Sequence, residues 1–244
     1  MSIQLQHNNF SGVSVIISLF NYENTIIQTL ESLKFQTLRH NEIVIVDDCS
    51  TDSGLDLAKQ WADENKDYFN SIAILQNKAN QGLAITRNNA VSAAKGMYLF
   101  VLDADNILFN NCLDAHKYAL ENSPDYSFAY SLLERFGDEC SIMNTLPWDK
   151  DILAKMNYID AMTLIRRKDI LAAGGYSKLG VMGWEDYELW LKFAELGMKG
   201  INLPNIYCKY RVHTSSMLRT HTNESARNLL LRKEIKSLHP WVKI

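Results

Sequence analysis

Short apolar runs alternate with longer amphipathic stretches through the first hundred residues. VSVIISLF (13–20), EIVIVDD (42–48), SIAILQN (71–77) and MYLFVLDAD (97–105) are rich in β-formers and bounded by polar or glycine positions, which predicts four strands. Between the first two, NTIIQTLESLKFQ (24–36) sets Ile26, Ile27, Leu30, Leu33 and Phe35 near helical spacing. STDSGLDLAKQWADEN (50–65) opens on the capping residues Ser50, Thr51 and Asp52 and predicts a second helix. NQGLAITRNNAVSAAKG (80–96) predicts a third, with Gly96 as its C-cap. This alternation, with nearly continuous apolar strands, predicts an α/β chain whose parallel sheet is covered on both faces.

The second half is less regular. YSFAYSLL (126–133), IDAMTLIRR (159–167) and NIYCKYRVH (205–213) read as strands. WEDYELWLKFAELG (184–197) reads as an amphipathic helix closed by Gly197, and TNESARNLLLRKEIKSLH (222–239) as a terminal helix. The chain shows no internal repeat and no low-complexity linker. It divides into a main domain, 1–218, and a helical extension, 219–244.

Composition narrows the partners. The 244 residues are 47% hydrophobic and 22% charged, ordinary for a globular chain, and the net charge of −3 gives no electrostatic footprint for nucleic acid. Cys49, Cys112, Cys140 and Cys208 form no CxxC pair and read as reduced thiols of a cytoplasmic protein. The polar start MSIQLQHNNFSG lacks the apolar core of a signal peptide, and no run approaches the roughly 18 apolar residues of a membrane helix. From Arg219 onward six Lys or Arg stand against Glu224 and Glu234, leaving +4, interleaved with Leu229, Leu230, Ile235 and Leu238. Such a helix packs on its own domain or makes peripheral contact with anionic membranes.

The candidate chemistry sits where strands end, the place where open α/β sheets bind ligands. The buried run ending at Leu102 meets Asp103-Ala104-Asp105. In extended geometry residues i and i+2 share one side, so both carboxylates would face a hard cation such as Mn²⁺ or Mg²⁺, or else form a solvated acidic turn. Asp47 and Asp48 close the second strand, where Asp48, Ser50 or Asp52 caps the next helix and a carboxylate of the pair is placed to hydrogen-bond a ligand. Trp184, Glu185 and Asp186 open a helix, whose N-terminus favours acids; the aromatic beside them also makes a sugar platform with a general base. His213 is a lone histidine, either structural or a metal ligand.

In this order, VSVIISLFNYENTIIQTLESLKFQT, EIVIVDDCSTDSG, NQGLAITRNNA, GMYLFVLDADN, GWEDYELWLKFAELG and YRVHTSSM resemble the large inverting glycosyltransferase family 2 over about residues 13–217. The resemblance implies a GT-A nucleotide-diphospho-sugar transferase fold, with a mostly parallel, Rossmann-like sheet and helices on both faces. It implies a nucleotide-diphosphate sugar donor, often a UDP-sugar, a divalent metal and a saccharide or lipid-linked acceptor. Ser18, Phe20 and Asn21 match positions lining the nucleotide pocket, Asp48 the carboxylate that contacts the base, and Gly82 and Arg87 the segment beside the nucleotide. Asp103 and Ala104 match the stretch near ribose and metal, Asp105 the direct metal ligand, and His213 a late metal or diphosphate ligand. Asp186 matches the catalytic base, with Trp184 and Glu185 on the acceptor side. The QxxRW segment of processive members is absent.

Four other classes compare with this pattern. A haloacid-dehalogenase-like phosphatase also ends a strand in DxD, but with Thr or Val two residues later, where this chain has Ile107. A receiver domain carries an acidic pair like Asp47-Asp48 but is about half this length. A dinucleotide dehydrogenase needs a GxGxxG that is missing here. A non-catalytic sugar-nucleotide-binding module differs from the enzyme only in lacking transfer.

Overall fold

The computed structural model describes residues 10–213 and 225–244. Strands β1 (Phe10–Leu19), β2 (Glu42–Asp47), β3 (Ser71–Gln76) and β4 (Gly96–Asp103) are parallel, in the order β3-β2-β1-β4. Helices α1 (Ile26–Lys34), α2 (Gly54–Asn65) and α3 (Leu83–Ala93) connect them. The period of two divides each central strand between two cores. Ile16, Val44, Val46, Leu99 and Val101 face α3 and later helices; Val15, Ile17, Ile43, Ile45, Phe100 and Leu102 face α1 and α2. Burial on both faces is why these runs contain so few polar residues.

The rest of the chain widens the sheet with β5 (Ile107–Leu108), β6 (Phe128–Gly137), β7 (Ser141–Met143), β8 (Thr163–Arg166) and β9 (Gly200–Val212). The order continues β4-β8-β6-β9-β5, with β7 on β6. β8 runs antiparallel to both β4 and β6, and β9 is parallel to β6. The sheet is therefore parallel in its first half and mixed in its second. The chain leaves β6 by the hairpin partner β7 and the short helix α5 (Lys150–Leu153), with no long crossover helix, so β8 returns antiparallel. Helices α4 (Cys112–Glu121), α6 (Arg167–Ala172), α7 (Glu185–Glu195) and α8 (Ser225–Leu238) complete the two helical layers. Cys112 and Cys208 meet in the core, their sulfurs 3.5 Å apart and unbridged.

Several expected boundaries move. Gly96 does not cap α3; it is the first residue of β4, where a Cβ would stand 2.6 Å from Ser14 Oγ and 2.8 Å from the Gly12 carbonyl. The strand expected at 159–167 contracts to Thr163–Arg166, which leaves Ile159–Met162 as loop. The one expected at 205–213 begins at Gly200 and crosses Pro204 at a register shift against β6. The helix expected over 222–239 is observed from Ser225 to Leu238; its start lies outside the described residues.

The terminal helix is bound to the body. Leu231 and Ile235 are fully buried and join the core of α3 and α7. Beyond it, His239 Nδ1 and Trp241 Nε1 both reach Glu195 Oε1 at the end of α7, at 2.8 and 2.6 Å. Among the described residues no helix is long and apolar enough to cross a membrane.

If α8 belongs to the same cooperative unit, Ile235→Ala should cost about 2–5 kcal/mol, as Leu99→Ala should in the sheet. Urea titration with a single transition checks this. A loss under about 1 kcal/mol for Ile235→Ala alone would show that α8 is only loosely attached.

Candidate active site

The polar strand ends converge. Registers Ser18↔Val46 and Ser18↔Asp103 bring the ends of β1, β2 and β4 to one edge of the sheet. A cavity of about 1100 Å³ opens there. Ser18, Phe20, Asn21, Asp48, Gly82, Arg87, Asp103, Ala104, Asp105, Trp184, Glu185, Asp186 and His213 all line it.

Two side chains of the protein meet the two carboxylates. Arg87, buried on α3, donates from Nη2 to Asp103 Oδ1 at 2.7 Å, with its guanidinium 5.3 Å from the Tyr176 ring. His213 Nε2 stands 3.1 Å from Asp105 Oδ2. The extended-strand picture of this motif needs correction. β4 ends at Asp103, and Ala104 and Asp105 lie in a turn, with the Asn106 N–H donating to the Asp103 carbonyl at 3.2 Å. Turn and β9 are stitched together: Arg211 donates from Nε to the Asp105 carbonyl and from its backbone N–H to Asn106 Oδ1. Burial, with the Asp103 charge adding to it, pushes Asp105 up to about 6, against the pull of His213.

Asp48 is held from within. It accepts from Asn77 Nδ2 at 2.7 Å and from the backbone N–H groups of Gln81 and Gly82 at 2.8 Å each. It thereby anchors the loop into α3, whose N-cap Gly82 has φ +88, and so sets the position of Arg87. Asn21, at φ +60, ties the end of β1 to the loop after β2, through Thr51 N–H to its Oδ1 at 2.8 Å. Phe20 stands 41% exposed as an apolar wall.

The start of α7 supplies a different set. Trp184 is the N-cap in left-handed conformation, its ring edge-on to Tyr187 and 5.7 Å from the Arg232 guanidinium of α8. Glu185 is buried and turns back to accept the Gly183 N–H at 3.0 Å. Asp186 faces the cavity, with Asn157 Nδ2 3.4 Å from both its oxygens. Burial pushes Asp186 up to about 6, partly countered by Arg87 and the Tyr187 N–H.

Asn144, Asn157 and Asp160, outside the sequence motifs, also line the cavity, as do Tyr22 and Tyr210, which lie within them but carried no assigned role. Burial, and then the charge of Asp103, pushes Asp160 up to about 8. Its signal in the sequence was a lone carboxylate inside the apolar run YIDAMTLI. Among the described residues no cluster of three or more His, Cys, Asp or Glu is set to hold a metal alone. A hard cation shared with phosphates needs only one or two carboxylates. Asp103 and Asp105 fit that demand, since their mutual repulsion is what a cation between them relieves.

Residues 14–172 match the sequence profile of the family described as Glycosyl transferase family 2. The chain is 30% identical over 230 residues to the putative glycosyltransferase EpsE of Bacillus subtilis (strain 168), covering 92% of this chain and 81% of EpsE. It is 30% identical over 234 residues to the UDP-Glc:alpha-D-GlcNAc-diphosphoundecaprenol beta-1,3-glucosyltransferase WfaP of Escherichia coli, covering 93% and 88%. Its fold resembles residues 1–349 of S. aureus TarS in complex with UDP-GlcNAc, with a TM-score of 0.75 at 19% identity over 93% of this chain and 66% of that one. It also resembles the mannosyltransferase PcManGT of Pyrobaculum calidifontis in complex with GDP-Man and Mn²⁺, with a TM-score of 0.71 at 18% identity over 93% and 63%. The chain thus spans about two thirds of the length of these two structures. The likeness bears out the GT-A fold, and with the profile match over most of its length the chain belongs to glycosyl transferase family 2.

Proposed function

We propose that the protein transfers a sugar from a uridine-diphosphate donor to a hydroxyl of a saccharide or lipid-linked acceptor, with inversion, in polysaccharide or glycoconjugate synthesis. The observation that carries this reading is one cavity holding both an acid pair at a strand end, Asp103 and Asp105, and a separate carboxylate, Asp186, at a helix start. WfaP takes UDP-Glc as donor and a diphosphoundecaprenol-linked acceptor, and TarS is complexed with UDP-GlcNAc. PcManGT holds GDP-Man, so the fold admits either base. Uridine is favoured here by those UDP relatives and by the match of Asp48 to the base-contacting carboxylate.

In this mechanism Ser18, Phe20, Asn21 and the loop held by Asp48 enclose the nucleotide. Asp103, Asp105 and His213 would hold Mn²⁺ or Mg²⁺, which when bound neutralises the negative charge gathering on the departing diphosphate. Arg87 keeps Asp103 aimed. Asp186 takes the proton of the attacking hydroxyl. A carboxyl near 6 is mostly ionised at pH 7 yet more basic than an ordinary aspartate, which suits a general base. One displacement by that hydroxyl inverts the anomeric carbon. Trp184 and Glu185 border the acceptor side.

The outer face of α8 exposes Leu229 and Leu230 beside Lys233 and Lys236. This pattern supports peripheral contact with an anionic membrane, where a lipid-linked acceptor would lie.

Three outcomes are expected. Asp186→Asn should lower kcat by about 10²–10⁴ with donor affinity little changed, and wild-type kcat should fall as pH drops through about 6, because the protonated base cannot accept. Normal transfer by Asp186→Asn, with Glu185→Gln inactive, would move the role to Glu185. Asp105→Ala should abolish Mn²⁺-dependent UDP binding in calorimetry while the fold persists; unchanged affinity removes Asp105 as ligand, and tighter GDP than UDP binding by the wild type removes the uridine assignment. The protein should float with anionic but not neutral liposomes at moderate salt, and Leu229→Asp with Leu230→Asp should abolish flotation.

A further inference from the structure

On the donor reading above, we propose that Asn144, Asn157 and Asp160 form the subsite that grips the transferred sugar, and that they select an uncharged glycosyl group over a uronate. Asn144 follows β7 at φ +58, a conformation asparagine tolerates better than most residues, and is only 5% exposed. Its Oδ1 accepts the Asp160 N–H at 3.1 Å, which fixes the orientation of the amide. The Nδ2 end is buried and has no hydrogen-bond partner among the described residues, and Asn144 belongs to the cavity lining. A buried donor in that condition is costly, and a ligand oxygen would satisfy it. Asn157 repeats the pattern with the opposite sign. Its Nδ2 points to the Asp186 carboxylate, and its Oδ1 is buried without a partner among the described residues. Asp160 uses Oδ1 to accept the Met162 N–H at 2.9 Å. Its other oxygen makes no hydrogen bond among the described residues.

The location agrees with the chemistry. Asp160 lies close enough to both Asp103 and Asp186 to feel each charge. The sugar must sit between those two groups, joined to the diphosphate on one side and open to the attacking hydroxyl on the other. Because burial holds Asp160 near 8, it is mostly the neutral acid at pH 7 and has an O–H to donate. The trio thus presents an amide donor, an acid donor and a carbonyl acceptor, a set that complements sugar hydroxyls, which both donate and accept. A uronate would bring a further carboxyl beside Asp103, Asp105, Asp160 and Asp186, while the two guanidinium groups that line the cavity are already engaged, Arg87 with Asp103 and Arg211 with the Asp105 carbonyl and Gln28.

Calorimetry with Mn²⁺ tests this, using UDP alone, UDP-glucose, UDP-galactose, UDP-N-acetylglucosamine and UDP-glucuronate. Asn144→Gly removes the amide and suits the positive φ. It should weaken the best neutral UDP-sugar by about tenfold and UDP by less than about twofold. Asp160→Ala should do the same, and Asp160→Asn, which restores a neutral donor, should recover to within about threefold of wild type. UDP-glucuronate should bind wild type at least about tenfold more weakly than the best neutral sugar. Equal losses for UDP and UDP-sugar in both deletion variants would show that the residues only hold the scaffold and would overturn the proposal. So would no loss in either, or UDP-glucuronate binding best. Wild type that binds neither UDP nor any UDP-sugar overturns the donor reading itself, and this assignment with it.

Discussion

The ion pair between Arg87 and Asp103 is the contact on which the rest of the site depends. It joins the helix α3 to the end of β4, and its guanidinium is buried, so neither partner can be lost without leaving a charge uncompensated. Breaking such a pair costs about 3–5 kcal/mol, far more than the net worth of the pair itself. Everything nearby keeps it in place. Asp48 fixes the start of α3, Tyr176 lies beside the guanidinium, and Asn88, one residue on, exchanges two hydrogen bonds with the Tyr176 backbone. An acidic strand end is thereby held in a fixed orientation before any ligand arrives.

The site as a whole gathers carboxyls. Asp103, Asp105, Asp160 and Asp186 line one cavity, and three of them are pushed above the ordinary carboxylate range, first by burial and then by neighbouring carboxylates. Such a concentration is unfavourable in an empty domain and suits one that receives cationic charge with its substrate. The three raised groups also differ in charge. One is mostly neutral near pH 7, two are mostly ionised, and the difference follows from surroundings and not from residue type.

Much of this was legible in the sequence, for a physical reason. A polar residue at the end of a fully apolar run has nowhere to be but a sheet edge, so Ser18, Asp48 and Asp103 announced a common location. Asp186 was marked by the helix start around it. Loops carry no such period. Asn144 and Asn157 sit in irregular backbone between β7 and β8, and Asp160 was hidden inside a run that read as strand. The early start of β9 was obscured by Pro204, which interrupts a strand pattern and here falls at a register shift. Gly96 misled because a glycine after a helix usually marks its end, whereas here the need is close contact with the neighbouring strand.

The contacts of His239 and Trp241 with Glu195 change the meaning of the C-terminal residues. His239 is nearly fully buried and also lies 3.6 Å from Glu188, which in turn pairs with Lys192 one turn along α7. These residues are part of the footing of α7, whose first turn carries Asp186. For anyone engineering the protein, that end of the chain is not a disposable tail. Trimming it before His239 removes a support from the helix that presents Asp186, and a bulky fusion placed there presses on the same joint.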